Sequence, residues 1–207
     1  MNTQLWPIFC WLSIRITLGD NSFVAVSELY CQNKGISTIQ KTDFNDEHIE
    51  NLYLDRNTIS SVEIGSFKGT NLRVFQAANN QLTKIPDFHE VRDTLLSIEL
   101  YNNSITIILR EEIIYLTKIY RLSLENNPLE HVLDFPRLLP SLEYLNLKKV
   151  GLNCDSSIVW LKRIADDFQV EMDDAPCRSP PEWTTTPWAN ITEEMLLQRP
   201  SVGKNGI

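Results

Sequence analysis

An asparagine recurs at a fixed place in this chain. AANNQL at 77–82, YNNSI at 101–105 and LENNPL at 124–129 each set a pair of amides inside an apolar frame. The frame reads LxxLxLxxNxLxxL. It begins at Ile49 (IENLYLDRNTISSV), Leu72 (LRVFQAANNQLTKI), Leu95 (LLSIELYNNSITII), Ile119 (IYRLSLENNPLEHV) and Leu142 (LEYLNLKKVGL), with starts 23, 23, 24 and 23 residues apart. One period earlier, Leu29, Cys31, Ile36 and Ile39 fall on the same apolar positions. Self-similarity at such a period means that each unit is one small supersecondary element, and that a core forms only where neighbouring units stack.

Within a unit, the alternation Leu52, Leu54 or Ile98, Leu100 has period two, the mark of a strand with one buried face. Asn57, Asn80, Asn103 and Asn127 hold one frame position, where the chain turns inward from the strand. Backbone groups at that bend cannot pair within a sheet and lie away from water. An amide side chain carries both donors and an acceptor, so stacked copies satisfy those groups; each one left unpaired costs ~1–3 kcal/mol. The four asparagines are therefore expected to be structural. Lys34 in the first unit and Val150 in the last replace them, as terminal units have a neighbour on one side only. Phe67, Phe88 and Ile113 fall in the return segments and are expected to fill the far side of the core.

The frame resembles the leucine-rich repeat over about residues 26–195. The resemblance implies an α/β repeat fold: a right-handed leucine-rich-repeat solenoid, a curved horseshoe with a parallel concave β-sheet. On this reading 20–48 hold an N-terminal cap and first unit, and the repeats are 49–71, 72–94, 95–118, 119–141 and 142–152. The segment LNCDSSIVWLKRIADDFQVEMDDAPCRSPPEW then resembles the cysteine-bearing C-terminal cap of extracellular members, over 153–195. Cys154, the Trp160-Leu161 pair and the Cys177-Arg-Ser-Pro-Pro turn carry the match. Asp155 or Ser156 can cap a helix whose Ile158, Leu161, Ile164 and Phe168 keep helical spacing.

The family cap has four cysteines, the first bonded to the third and the second to the fourth. Here Ser156 stands at the second position and no cysteine follows Cys177, so the resemblance implies a single Cys154–Cys177 bridge. Such a bridge is worth ~3 kcal/mol in the chain-entropy model and implies an oxidising compartment. A zinc site would need further ligands at close spacing. Of the family's N-terminal cap cysteines only Cys31 is kept. It reads as a buried thiol at an inward strand position, or as an intermolecular bridge that would make a homodimer.

The first nineteen residues, MNTQLWPIFCWLSIRITLG, read as a secretory signal, apolar from Leu5 to Ile14 and cleaved near Gly19 or as late as Ser27. No positive charge precedes the apolar core, and Arg15 interrupts its end. Cleavage would remove Cys10 and leave Cys31 without an internal partner. No later stretch is apolar over the ~18 residues that a membrane span needs. Asn102-Asn103-Ser104 and Asn190-Ile191-Thr192 are glycosylation acceptors, at Asn102 and Asn190. Residues 196–207 are expected to form a flexible tail.

A net charge of -8 disfavours nucleic acid and anionic membrane surfaces. Seven glycines and no GxGxxG or GxxxxGK[ST] pattern leave no phosphate loop. His48, His89 and His131 are scattered, and the adjacent carboxylates Glu111-Glu112, Asp166-Asp167 and Asp173-Asp174 point apart. No GxSxG, HExxH or CxxC is present. The expectation is a protein without catalysis, cofactor or metal.

What remains is the outer face of the sheet. Frame position 3 places Asn51, Val74, Ser97, Arg121 and Tyr144 there; position 5 places Tyr53, Gln76, Glu99, Ser123 and Asn146; position 7 places Asp55, Ala78, Tyr101, Glu125 and Lys148. Tyrosine and arginine are frequent binding hot spots, so Glu99, Tyr101, Arg121, Glu125 and Tyr144 form the expected contact patch. The reading is a secreted recognition module that binds an extracellular protein or glycan-bearing macromolecule through this face. The resemblance implies roles in innate immune recognition, matrix organisation or receptor–ligand guidance. Two alternatives are a self-associating matrix component and a cytosolic adaptor whose N-terminal segment is not a signal.

Overall fold

A computed structural model describes residues 10–19, 22–44, 49–129 and 131–201. In chain order the strands are β1 (Trp11–Gly19), β2 (Ser22–Tyr30), β3 (Thr38–Ile39), β4 (Ile49–Tyr53), β5 (Ser61–Val62) and β6 (Val74–Gln76). They continue with β7 (Ser97–Glu99), β8 (Arg121–Ser123), β9 (Tyr144–Asn146), β10 (Leu152–Asn153), β11 (Gln169–Glu171) and β12 (Cys177–Ser179). One mixed sheet runs β1-β2-β4-β6-β7-β8-β9-β11. Its seven strands from β2 onward are mutually parallel, and only β1 runs against its neighbour. Helices are short: α1 (Arg110–Ile113), α2 (Phe135–Leu138) and α3 (Glu193–Leu197).

The register follows the sequence frame. Leu52, Phe75, Ile98, Leu122 and Leu145 pair in turn across β4, β6, β7, β8 and β9, and all are buried. Leu54, Ala77, Leu100, Leu124 and Leu147, two residues on, form a second buried row. Behind the strands, Phe67, Phe75 and Phe88 close into a triangle with ring centroids 5.1–5.4 Å apart. Phe44, Ile113 and Phe135 are buried as well. Each unit thus offers an apolar layer that only its neighbours can cover.

The amides do two jobs. Asn57, Asn80, Asn103 and Asn127 are buried. In each, Nδ2 donates to carbonyls of its own and the preceding unit, and Oδ1 accepts a backbone N–H from the preceding unit. Asn103 donates to Leu100 at 3.0 Å and Ala77 at 2.9 Å, and accepts from Leu82 N at 3.0 Å. Asn57 likewise donates to Cys31 O and accepts from Lys34 N, both at 2.8 Å. The residue just before this position has positive φ in every unit: Asn33, Arg56, Asn79, Asn102, Asn126 and Lys149, with φ from 53° to 57°. Left-handed backbone is tolerated by asparagine better than by most side chains. The first amide of each doublet makes the bend, and the second ties it to the unit before.

At the N-terminal end of the described residues, β1 pairs with β2 in a hairpin whose register places Trp11 opposite Tyr30. That register brings Cys10 level with Cys31, and the two are joined by a disulfide with Cα atoms 4.5 Å apart. Cys31 is therefore neither a free thiol nor the source of a covalent homodimer. The rest of the leader reading, over residues 1–9, lies outside the described residues.

The C-terminal cap holds the Cys154–Cys177 disulfide beside the parallel pair β10–β12. The expected long helix is instead a seven-residue 3-10 turn, Ser156–Lys162, capped by the Asp155 carboxylate accepting from Ser157 N at 2.8 Å. Ile158 and Leu161 are buried, Ile164 and Phe168 only partly. Beyond the turn the chain re-enters the sheet as β11, parallel to β9, because β9 presents an open edge there. The expected tail also begins later than 196. Leu196 is buried, Arg199 O accepts from Ser156 N at 2.9 Å, and Ser201 N donates to Ser156 Oγ at 3.1 Å. Residues 202–207 lie outside the described residues.

Candidate functional site

Parallel pairing places equivalent residues of successive units side by side, about 4.8 Å apart. The rows that face away from the core include Glu28, Asn51, Val74, Ser97, Arg121, Tyr144 and Gln169 in one register. Tyr30, Tyr53, Gln76, Glu99, Ser123, Asn146 and Glu171 form the next. Just past the strand ends lie Asp55, Ala78, Tyr101, Glu125 and Lys148.

Three of the five expected patch residues form one group. Arg121 Nε donates to the Glu99 carboxylate, and the guanidinium lies 3.9 Å from the centroid of the Tyr144 ring. On the next strand Glu171 accepts from Lys148 Nζ at 2.8 Å. Burial and then the Glu171 carboxylate raise the Tyr144 hydroxyl pKa. Lys148, followed by Tyr144, holds the Glu171 carboxyl below its usual range. Glu125 belongs to a neighbouring group, accepting from Asn146 Nδ2 at 3.2 Å and Lys149 Nζ at 3.0 Å. Tyr101 is half-buried, and among the described residues its hydroxyl has no hydrogen-bond partner. Burial comes first among the causes that raise its pKa, followed by the charges of Asp55 and Glu99.

The N-terminal end of the face has its own order. Tyr30 and Tyr53 stack with centroids 4.8 Å apart, and the Tyr30 hydroxyl donates to Glu28 at 2.7 Å. Asp55 is buried; it accepts from Ala78 N at 2.8 Å and from the Gln76 amide. Glu28 and Tyr30 carry both rows into the first unit, beyond the outward positions that the frame assigned from Asn51 and Tyr53 onward. Glu171 was missed because its segment read as following a helix. A polar-apolar alternation in QVE was the one local signal for a strand there.

The remaining expected residues lie apart from this face or at its rim. Asn102 Nδ2 donates to Asn79 Oδ1 at 2.9 Å, and its own Oδ1 accepts from Asn126, so the left-handed asparagines form an outer amide ladder at the rim. Asn190 is exposed in a turn of the C-terminal cap. Thr192 of the same acceptor caps α3 through its hydroxyl, which accepts from Met195 N. His89 bonds Asp87 at 2.8 Å and stacks on Tyr115, His131 is exposed elsewhere, and His48 lies outside the described residues.

A surface cleft of about 720 Å³ lies between α2 and the C-terminal cap, lined in part by Leu142, Trp160, Arg163 and Phe168. None of its lining residues belongs to the outward rows. Among the described residues no group of three His, Cys, Asp or Glu is placed to hold a metal ion. Among them also, no helix is long and apolar enough to cross a membrane.

No family model matches this sequence, and neither does a curated protein. A solved structure does share the fold. A chain in an octameric complex of Latrophilin 3 (Lec, Olf), Unc5D (Ig, Ig2, TSP1) and FLRT2 (LRR) matches with a TM-score of 0.54 at 18% identity. The match covers 79% of this chain and 58% of that one, so this chain spans little more than half the length of its structural neighbour.

Proposed function

We propose that this chain is an extracellular leucine-rich-repeat protein, a right-handed solenoid that recognises a protein partner through its concave sheet without catalysis. One observation carries the reading. Glu99, Arg121 and Tyr144 come from three successive repeats, yet they form one preorganised group, beside which Lys148 holds Glu171 of the following strand. Groups held in place before binding lose less entropy when a partner docks. Seven parallel strands at ~4.8 Å spacing span roughly 30 Å, the scale of a protein interface burying ~800 Å² per side.

Other features support the same reading. The repeat frame, the amide column and the 23–24-residue period are those of the leucine-rich repeat. The structural neighbour belongs to a complex of several proteins, Latrophilin 3, Unc5D and FLRT2 (LRR). Two disulfides fit an oxidising compartment outside the cytosol better than a cytosolic adaptor. The test is affinity capture of a specific partner, repeated with Tyr101→Ala and Arg121→Ala. Loss of capture with native-like folding supports the assignment of Glu99, Tyr101, Arg121, Glu125 and Tyr144 as the contact patch. Capture that is unchanged by both substitutions removes it.

A further inference from the structure

We infer that the concave face receives a cationic side chain, an arginine or lysine of the partner protein, at Tyr101 between Asp55 and Glu125. The inference rests on the concave-face reading above and specifies the chemistry of its partner.

The geometry comes from the residues just past the strands. The N–H groups of Arg56, Asn79, Asn102 and Asn126 donate to the carbonyls of Ala78, Tyr101, Glu125 and Lys148 at 2.9–3.0 Å. These bonds align Asp55, Ala78, Tyr101, Glu125 and Lys148 in one row, about a strand spacing apart. Tyr101 therefore stands beside Glu125 and one small residue away from Asp55. Glu99 lies two residues earlier on the same side of the sheet.

The carboxylates of this face are unequally answered. Glu99 has Arg121, Glu171 has Lys148, and Glu125 has Lys149. Among the described residues Asp55 is hydrogen-bonded by neutral donors, Ala78 N and the Gln76 amide, and Arg56 acts on it through space. Burial also raises the Asp55 carboxyl pKa, against the hydrogen bonds from Ala78 and Gln76. The field at Tyr101 points the same way: Asp55, Glu99 and Glu125 all oppose its ionisation, with Arg56 the one opposing cation. Its hydroxyl has no partner among the described residues.

The fold contains its own version of the proposed contact one row away. There a guanidinium lies over a tyrosine ring while a carboxylate from the adjacent strand holds it, in Arg121, Tyr144 and Glu99. A cation over an aromatic face and beside a carboxylate is favoured by both groups. Tyr101 and Asp55 offer a ring and a carboxylate without such a cation, and Glu125 beside them holds only the exposed Lys149 ammonium. A side-chain cation fits better than a metal ion, because no metal-holding cluster occurs among the described residues.

The experiment labels the tyrosine rings with carbon-13, identifies the Tyr101 signal with Tyr101→Phe, and titrates the folded chain with N-acetyl-arginine amide. N-acetyl-glutamine amide is the neutral control. A saturable shift of the Tyr101 signal with the arginine probe alone is expected, weakened several-fold in Asp55→Asn and again in Glu125→Gln. If Asp55→Asn does not fold, Glu125→Gln carries the test by itself. No saturable shift, equal shifts with both probes, or a shift indifferent to the substitutions overturns the inference. Capture lost in Tyr101→Ala and Arg121→Ala without arginine binding removes only the cationic contact. Capture unaffected by either substitution removes the concave-face reading, and this inference with it.

Discussion

The guanidinium of Arg121 lies 3.9 Å from the centroid of the Tyr144 ring while its Nε donates to Glu99. Three strands, β7, β8 and β9, are thereby tied through side chains on the face opposite the core. The group is half-exposed, so its contribution to stability is small. A double-mutant cycle of Arg121→Ala and Tyr144→Ala, read by urea unfolding, is expected to show a coupling of ~0.5–1 kcal/mol. Arg121→Lys is expected to recover little, since an ammonium cannot both cover the ring and reach Glu99 in one plane. Additive single effects would show that ring and guanidinium act independently.

The buried amide column carries more. Asn103→Ala removes the acceptor of Leu82 N–H and one of the two amide donors to each of the Leu100 and Ala77 carbonyls. A loss of ~1–3 kcal/mol is expected, as the buried Leu82 N–H goes unpaired and each carbonyl is left with a single amide donor. Asn126→Gly, one residue before the column in the next unit, is expected to cost less than ~0.5 kcal/mol, because glycine accepts the same positive φ. Equal losses at the two sites, by urea midpoint, would contradict this division of roles.

Arg56 takes the left-handed bend that asparagine makes in four of the other units. Arg56→Asn is expected to stabilise the fold by ~0.5–1 kcal/mol by relieving that backbone strain. A thermal melt reads it directly; a lower melting temperature for the variant would refute the strain argument.

The N-terminal disulfide makes a redox prediction. With residues 10–31 intact, peptide mapping without reductant is expected to find Cys10–Cys31 and Cys154–Cys177 and no free thiol. In a chain trimmed after Gly19, Cys31, which has 0% exposure in the intact chain, has lost its partner. A thiol reagent is then expected to react slowly with the folded chain and rapidly in urea, with one thiol per molecule. Rapid reaction before unfolding would mean that the Cys31 site opens without β1.

Asp55 gives a pH dependence. Burial raises its carboxyl above the ordinary 3.8, against lowering by hydrogen bonds from Ala78 and Gln76. The native state therefore holds this proton more tightly than the unfolded chain. The associated stability is present at acid pH and is lost as pH rises through the raised folded value. Asp55→Asn is expected to stabilise the protein at neutral pH, with the gap closing toward about pH 3. The check is a pair of urea midpoints for parent and variant at the two pH values, and a gap that stays constant would sink the assignment.

The repeat spacing, the inward rows from Leu52 to Leu145 and the amide column at Asn57, Asn80, Asn103 and Asn127 can all be read from the chain. Each is a local demand imposed again on every unit, so repetition makes a weak signal plain. The first amide of each doublet was equally local. Its left-handed role passed unnoticed because the buried column already accounted for an asparagine nearby.

Other features depended on which segments meet. Cys10 and Cys31 find each other only through the hairpin register of β1 and β2, which no spacing of cysteines encodes. Gln169–Glu171 becomes a strand because β9 has an open edge, and Glu171 thereby reaches Lys148. The outward positions of Arg121 and Glu99 were evident from the frame, but not that Arg121 would turn to Glu99 and Tyr144. Side chains on a sheet choose partners from strands more than twenty residues away, and that choice exists only once the strands lie side by side.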